Sequence, residues 1–260
     1  MAIPMLGTLL GDIIGSPWEQ DAPKHTDFPL FTPWSRFTDD TVLTIATAHA
    51  LLEGVPYAES YYEYGNRYPR AGYGKAFRDW LASDDPQPYN SWGNGSAMRV
   101  SPVGWPTESV EEVLAEAERS AAVTHDHPEG IRGAQAVALA VFLARTRSSK
   151  DEIRSAVRDR IGYPLDRTLD QIRPHYHSDV SCQGSVPEAI TAFLESDDLE
   201  HAIRLAISLG GDADTQAAIA GGIAEAFYGP PSAALEQEAL DRLPDELVGR
   251  YRAFRESFIS

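Results

Sequence analysis

Two short stretches hold the residues best suited to chemistry. Thr38-Asp39-Asp40-Thr41 lies toward one end of the sequence and Gly210-Gly211-Asp212-Ala213-Asp214-Thr215 toward the other. Each groups carboxylates and hydroxyls where a polar segment gives way to an apolar, helix-forming run, residues 42–52 in the first case and 216–224 in the second. Thr38, Asp39, Asp40, Asp212, Asp214 and Thr215 offer only hard oxygen donors, which suit magnesium, manganese or calcium rather than zinc or copper. Taken singly, either stretch reads as an ordinary N-cap, since Thr and Asp satisfy the free N–H groups of a helix start and complement its positive end. One cap needs only one side chain. The adjacent carboxylates repel one another unless a cation neutralises them, so two such surpluses in one chain point to a shared ion site.

A third stretch, Ser91-Trp92-Gly93-Asn94-Gly95-Ser96-Ala97-Met98-Arg99, is built differently. Gly-Asn-Gly permits positive φ and exposes successive N–H groups, as a phosphate-cradling loop does. Asn-Gly is also a hairpin signal, but the flanks do not alternate as strands would. Gly72-Tyr73-Gly74 is a sharp turn. His125 and His127 fall in a Pro-Gly turn without a third His or Cys nearby, which favours hydrogen-bonding histidines over metal ligands.

Helices must position these groups. Gly7, Gly11 and Gly15 recur every four residues, so they share one helix face and allow a neighbour to approach closely. Residues 20–36, with Pro23, Pro29 and Pro33, read as a loop. Helical periodicity or apolar content predicts helices over 6–16, 42–52, 75–81, 109–122, 131–144, 151–160, 187–194, 199–209 and 215–227, and one or two over 235–258 broken at Pro244. The tyrosines from Tyr57 to Tyr73 fit core packing. Residues 162–184 read as irregular. Strand signals are nearly absent, and no repeat or linker interrupts the 260 residues, so the expectation is one all-α domain over 1–260.

Composition excludes several classes. A net charge of −17 repels phosphate backbones and argues against a nucleic-acid scaffold. No apolar run is long enough to span a bilayer, and no basic region precedes an apolar one at the N-terminus. Cys182 is the only cysteine, which excludes an internal disulfide and fits a reducing cytoplasm. A cytoplasmic monomer without membrane contact is expected.

Four motifs in order then carry a resemblance: Gly11-Asp12-Ile13-Ile14-Gly15 with Glu19 after it, Thr38-Asp39-Asp40-Thr41, Gly93-Asn94-Gly95-Ser96-Ala97-Met98-Arg99, and Gly211-Asp212-Ala213-Asp214-Thr215. Over nearly its whole length the chain resembles the ADP-ribosylglycohydrolases. The resemblance implies a compact, orthogonal all-α bundle with two divalent ions, Mg2+ or Mn2+, at the bottom of a cleft. It assigns Thr38, Asp39 and Asp40 to one ligand group and Asp212, Asp214 and Thr215 to the other. It implies that Ser91, Trp92, Gly93, Asn94, Gly95 and Met98 wrap the ADP-ribose of a modified acceptor, with Gly72, Gly74 and His125 lining the same cleft and Trp92 free to stack on adenine. Glu19, Asp39 and Asp214 are the implied catalytic carboxylates. Ala213 stands where many members have Thr, between ligands. The implied reaction is hydrolysis of an N- or O-glycosidic bond at ribose C1. Two alternatives stand beside it: hydrolysis of a free ADP-ribosyl or nucleoside conjugate, and a non-catalytic, crystallin-like binding or structural relative.

Overall fold

The computed structural model describes residues 4–257. Among these the chain forms fourteen α-helices and no β-strand. Helix α1 (Leu6–Gly15) runs into a 3-10 turn at Ser16–Trp18 and a long loop. Helix α2 (Asp39–Glu53) begins at its N-cap Thr38, whose hydroxyl accepts from the Asp40 N–H, and ends at Gly54 with φ of 68°. Then come α3 (Tyr57–Arg67), α4 (Lys75–Leu81) and the single turn α5 (Gly95–Met98). Ser109 caps α6 (Val110–Ala122), and the His127 ring caps α7 (Pro128–Arg145), with Pro128 in the first turn, where its missing N–H costs nothing. Capping boxes open both α8 (Lys150–Ala156), extended by a π turn at Val157–Ile161, and α9 (Leu169–Ile172). The rest are α10 (Cys182–Glu195), α11 (Leu199–Ile207), α12 (Ala213–Tyr228), α13 (Ala233–Leu240) and α14 (Asp245–Glu256), with the break at Pro244.

The centre of the bundle is a seam between α1 and α12. Every residue of α1 is buried. A Cβ on Gly11 would stand 2.1 Å from the Ala217 carbonyl, and one on Gly7 would stand 2.2 Å from the Gly221 carbonyl. Such contacts are possible only without side chains, so the glycine face serves close helix packing. Glu225 of α12, fully buried, accepts from the Gly7 N–H at 2.7 Å and satisfies the start of α1. Because the two helices are locked together, the C-terminal end of α1 lies against the N-terminal end of α12, where Gly15 abuts Asp214. The loop after α1 is stitched down as well. Lys24 donates to the Leu209 carbonyl, and Arg204 donates to the carbonyls of Thr26 and Phe28.

Two sequence expectations need correction. The helix placed over 187–194 starts at Cys182, because the Ser181 hydroxyl accepts from the Gly184 N–H and caps it. Pro187 therefore sits inside a helix rather than opening one. The segment 162–184, read as irregular, also contains the short α9 and the first turn of α10.

Candidate active site

Each acidic stretch sits at a helix start, and α1 brings the two together. Asp12 of α1 is completely buried. Its carboxylate accepts from the Thr38 N–H (2.9 Å), the Thr38 hydroxyl (2.7 Å), the Thr41 N–H (3.0 Å) and the Thr41 hydroxyl (2.5 Å). It thus acts as the capping anion of α2, and the side chains of Asp39 and Asp40 are left for another purpose. Across the seam, Asp214 and Thr215 lie in the first turn of α12, and the Thr215 hydroxyl donates to Asp40 Oδ2 at 3.3 Å. Asp212 precedes the helix, after Gly210 and Gly211 with φ of 79° and 87°, a backbone that other residues adopt only under strain. Asn94 Nδ2 donates to Asp212 Oδ2 at 2.7 Å.

Oxygen atoms of Asp12, Asp40 and Asp214 lie within 4.8 Å of one another, all buried. Asp40 Oδ1 is buried with no hydrogen-bond partner. Burial, followed by mutual repulsion, pushes the carboxyls of Asp40 and Asp214 well above their ordinary range. The same causes push Asp39 up to about 7, and burial, opposed by the threonine bonds, pushes Asp12 up to about 6. An orphaned carboxylate oxygen among converging carboxylates fits a hard cation, which would satisfy the lone pairs and remove the repulsion together.

The cluster forms the foot of a cavity of about 430 Å³. Of the residues singled out in the sequence, Glu19, Thr38, Asp39, Asp40, Gly72, Gly74, Ser91, Asn94, Gly95, Met98, His125, Asp212, Asp214 and Thr215 all line it. Trp92 and Gly93 do not. Gly93 forms an isolated antiparallel bridge with Ser181, and Cys182 N–H donates to the Trp92 carbonyl at 2.9 Å. That pairing turns Asn94 inward and leaves Trp92 half exposed. Neither Gly93 nor Gly95 has positive φ. Gly95 is small for a different reason, since a Cβ there would reach within 3.0 Å of His125 Nε2. Gly72 does have positive φ, 113°, and a Cβ there would meet Asp39 Oδ1 at 3.2 Å.

His125 is buried against the cavity, its Nδ1 bonded to the Thr124 hydroxyl at 2.7 Å. Burial and the charge of Arg99 hold it well below the usual histidine range, so the ring is neutral. Arg99 is itself fully buried, stacked 4.1 Å over the Tyr61 ring and donating to the Thr124 hydroxyl at 2.8 Å. Reading the sequence for chemistry missed Asp12, Arg36, Tyr89 and Arg99 as parts of this site. Asp12 had a usable signal, being the one charged residue in an otherwise apolar and small-residue helix. Tyr89, whose ring lies 5.8 Å from that of His125, had none.

Fold and site together define an all-α protein with a buried acidic cluster, suited to a divalent cation, at the foot of a cleft able to hold a nucleotide-sized ligand. The sequence profile of ADP-ribosylglycohydrolases matches residues 4–257, and the chain belongs to that family of glycosidic-bond hydrolases. It is 30% identical to ADP-ribosylhydrolase ARH3 of Gallus gallus over 75% of this chain and 72% of that protein. It is 27% identical to ADP-ribosylarginine hydrolase Tri1 of Pseudomonas putida over 94% and 79%. A solved structure described as an ADP-ribosylglycohydrolase-related protein complex superimposes with a TM-score of 0.73 at 25% identity, covering 97% of this chain and 95% of that one. No helix among the described residues is long and apolar enough to cross a membrane.

Proposed function

We propose that this protein is a divalent-cation-dependent hydrolase that removes ADP-ribose from a modified protein side chain by cleaving the bond at ribose C1. The observation that carries the reading is the convergence of Asp12, Asp40 and Asp214, with Asp40 Oδ1 buried and unpartnered, at the foot of the cavity. Thr38, Asp39 and Asp40 on one side, and Asp212, Asp214 and Thr215 on the other, would hold two Mg2+ or Mn2+ ions. When bound, these supply concentrated positive charge for orienting ribose hydroxyls and making a water more acidic.

The chain's own groups account for the rest. Gly72 and Gly74 present backbone rather than side chains to the cavity, which suits close approach to a diphosphate. Neutral His125, Ser91 and Asn94-Gly95 line the same cavity and hold the nucleotide end. Asn94 fixes Asp212 and so ties the ligand loop to the acidic cluster. Breaking the C1 bond builds oxocarbenium-like charge, which the surrounding carboxylates stabilise. The attacking water gives its proton to a carboxylate. Of Glu19, Asp39 and Asp214, Glu19 is the exposed one at the cavity wall and the one outside the proposed ligand set, which favours it as the base. The chain works as one domain and one copy, in a reducing cytoplasm that suits its single, buried Cys182.

The test is ADP-ribose release from ADP-ribosyl-arginine and ADP-ribosyl-serine peptides with magnesium, manganese or EDTA. Release that EDTA abolishes is expected from at least one of them. Release undiminished by EDTA, or none from either peptide with metal present, refutes the reading.

A further inference from the structure

Beside the acidic cavity lies a second one of about 380 Å³, walled by Arg36, Phe37, Arg67, Tyr68, Pro69 and Arg70. The two cavities share Arg36 and Ala71, so they adjoin. The second contains none of the residues from the 89–98 loop, His125 or the start of α12, so it is separate from the groups assigned to the nucleotide. Its character contrasts with the rest of the molecule. The protein has 39 acidic residues against 22 basic ones, and most of its arginines, exposed and half-buried together, sit beside a carboxylate. Arg67 follows that pattern, paired with Glu63 and Glu246. Nearby Lys75 is paired with Asp79. Arg36 and Arg70, both exposed, have no carboxylate within ion-pair distance among the described residues. Glu246, which reaches the pocket-lining Arg67 and Tyr68, is already engaged by both of them. Phe37 and Tyr68, edge to face with ring centroids 6.2 Å apart, give the pocket an apolar floor.

We infer that this pocket is the acceptor subsite, and that it binds an acidic side chain lying within a few residues of the ADP-ribosylated one. The inference rests on the hydrolase reading and adds a substrate class to it. Two unpaired guanidiniums above an aromatic floor match a carboxylate on a short aliphatic stem, through charge-assisted hydrogen bonds above and apolar contact below. They also offset, at the mouth of the catalytic cavity, a net negative protein that would otherwise repel an acidic acceptor. A neutral or basic acceptor gains nothing from either guanidinium.

The experiment compares two ADP-ribosylated peptides of the same linkage, one with glutamates flanking the modified residue and one with glutamines. For the wild-type protein, kcat/KM is expected to be about fivefold higher on the acidic peptide, carried by KM and shrinking at high salt. Arg70 lines only the second pocket and is exposed, so R70Q should fold normally and keep its rate on the neutral peptide while losing the preference, and R70E should invert it. R147Q removes an equally exposed, unpaired arginine elsewhere and should retain the preference. Equal rates on the two peptides, or a preference that survives R70Q, overturns the inference. If neither peptide is cleaved, the hydrolase reading fails separately. The anisotropy of the labelled, unmodified acidic peptide then decides the pocket: tighter binding to wild type than to R70Q supports it, and equal binding overturns it.

Discussion

At the start of α2 the free N–H groups are satisfied by a carboxylate borrowed from α1. Asp12 holds the backbone and hydroxyls of Thr38 and Thr41, which leaves Asp39 and Asp40 uncommitted. At the start of α12 no side chain caps the helix from Asp212. Asp212 is instead held by Asn94 of the 91–98 loop, and Asp214 Oδ1 accepts the N–H of its neighbour Thr215. The two stretches have nearly the same composition and opposite wiring. One is fastened to the scaffold by four hydrogen bonds, the other to the loop by one. The first provides a fixed half-site, and the second couples the acidic cluster to whatever the loop does.

The common support of both halves should give the largest effect. A side chain at Gly11 would strike the Ala217 backbone, which has no room to yield, so Gly11→Val should destabilise by more than about 3 kcal/mol and give little soluble protein. Gly249→Ala is the control, since nothing lies within 4 Å of a Cβ there and the helix should tolerate or gain from it. Soluble yield and thermal melts by circular dichroism decide between them. A well-folded Gly11→Val protein would remove the seam as the organiser of the site.

Next come the uncommitted carboxylates. Asp40→Ala and Asp214→Ala should each lower metal-dependent ADP-ribose release by about a thousandfold or more. In EDTA both should melt no lower than wild type, because each substitution relieves repulsion. Full activity in either variant contradicts the shared cation site. The wiring itself is compared by Asp12→Ala and Asn94→Ala in urea denaturation. Asp12→Ala strands four buried donors and should cost about 3 kcal/mol or more, whereas Asn94→Ala should cost about 1 kcal/mol. The reverse order would mean that the two helix starts are not anchored as described.

The smallest effect expected is on pH. With Asp39 near 7 and Asp12 near 6, against an ordinary 3.8, the folded metal-free protein keeps protons that the unfolded chain releases. Stability from these groups is therefore full below about pH 4 and declines as pH rises through about 7. Melting temperature in EDTA should fall between pH 5.5 and 8, and magnesium should raise it most at pH 8. A melting temperature in EDTA that rises over that range would contradict the protonated cluster.

Much of this was legible in sequence because helix starts and stops are local events. Thr38 ahead of an apolar run and Gly54 after it each act within one turn. The Gly7, Gly11 and Gly15 face was legible because a four-residue period has few other uses. Positions set by distant partners were not. Pro187 looks like a helix start until the Ser181 hydroxyl is seen to cap the chain earlier. Gly95 looks like a conformational glycine, yet it is required by the approach of His125 from thirty residues away in the chain. Arg99, charged in sequence, is buried under Tyr61 and anchored by Thr124, an arrangement to which no local pattern points. Asp12 combines the two cases. Its place on the seam helix was visible, but its use as a cap for another helix was not.

The seam also bears on how the molecule is made. Gly7 and Glu225 meet across 218 residues of sequence, and α1 finds most of its packing on α12 rather than on the helices that follow it directly. Synthesis delivers α1 before any other described helix, and it then waits, its glycine groove uncovered, until nearly all of the chain has emerged. Contacts of such long range make closure late and slow. A nascent chain halted before residue 212 has Asp12 but neither Asp212 nor Asp214, and therefore no cluster. Of the described helices, the first to be made is among the last to be covered, and no copy halted short of Asp214 carries an assembled site.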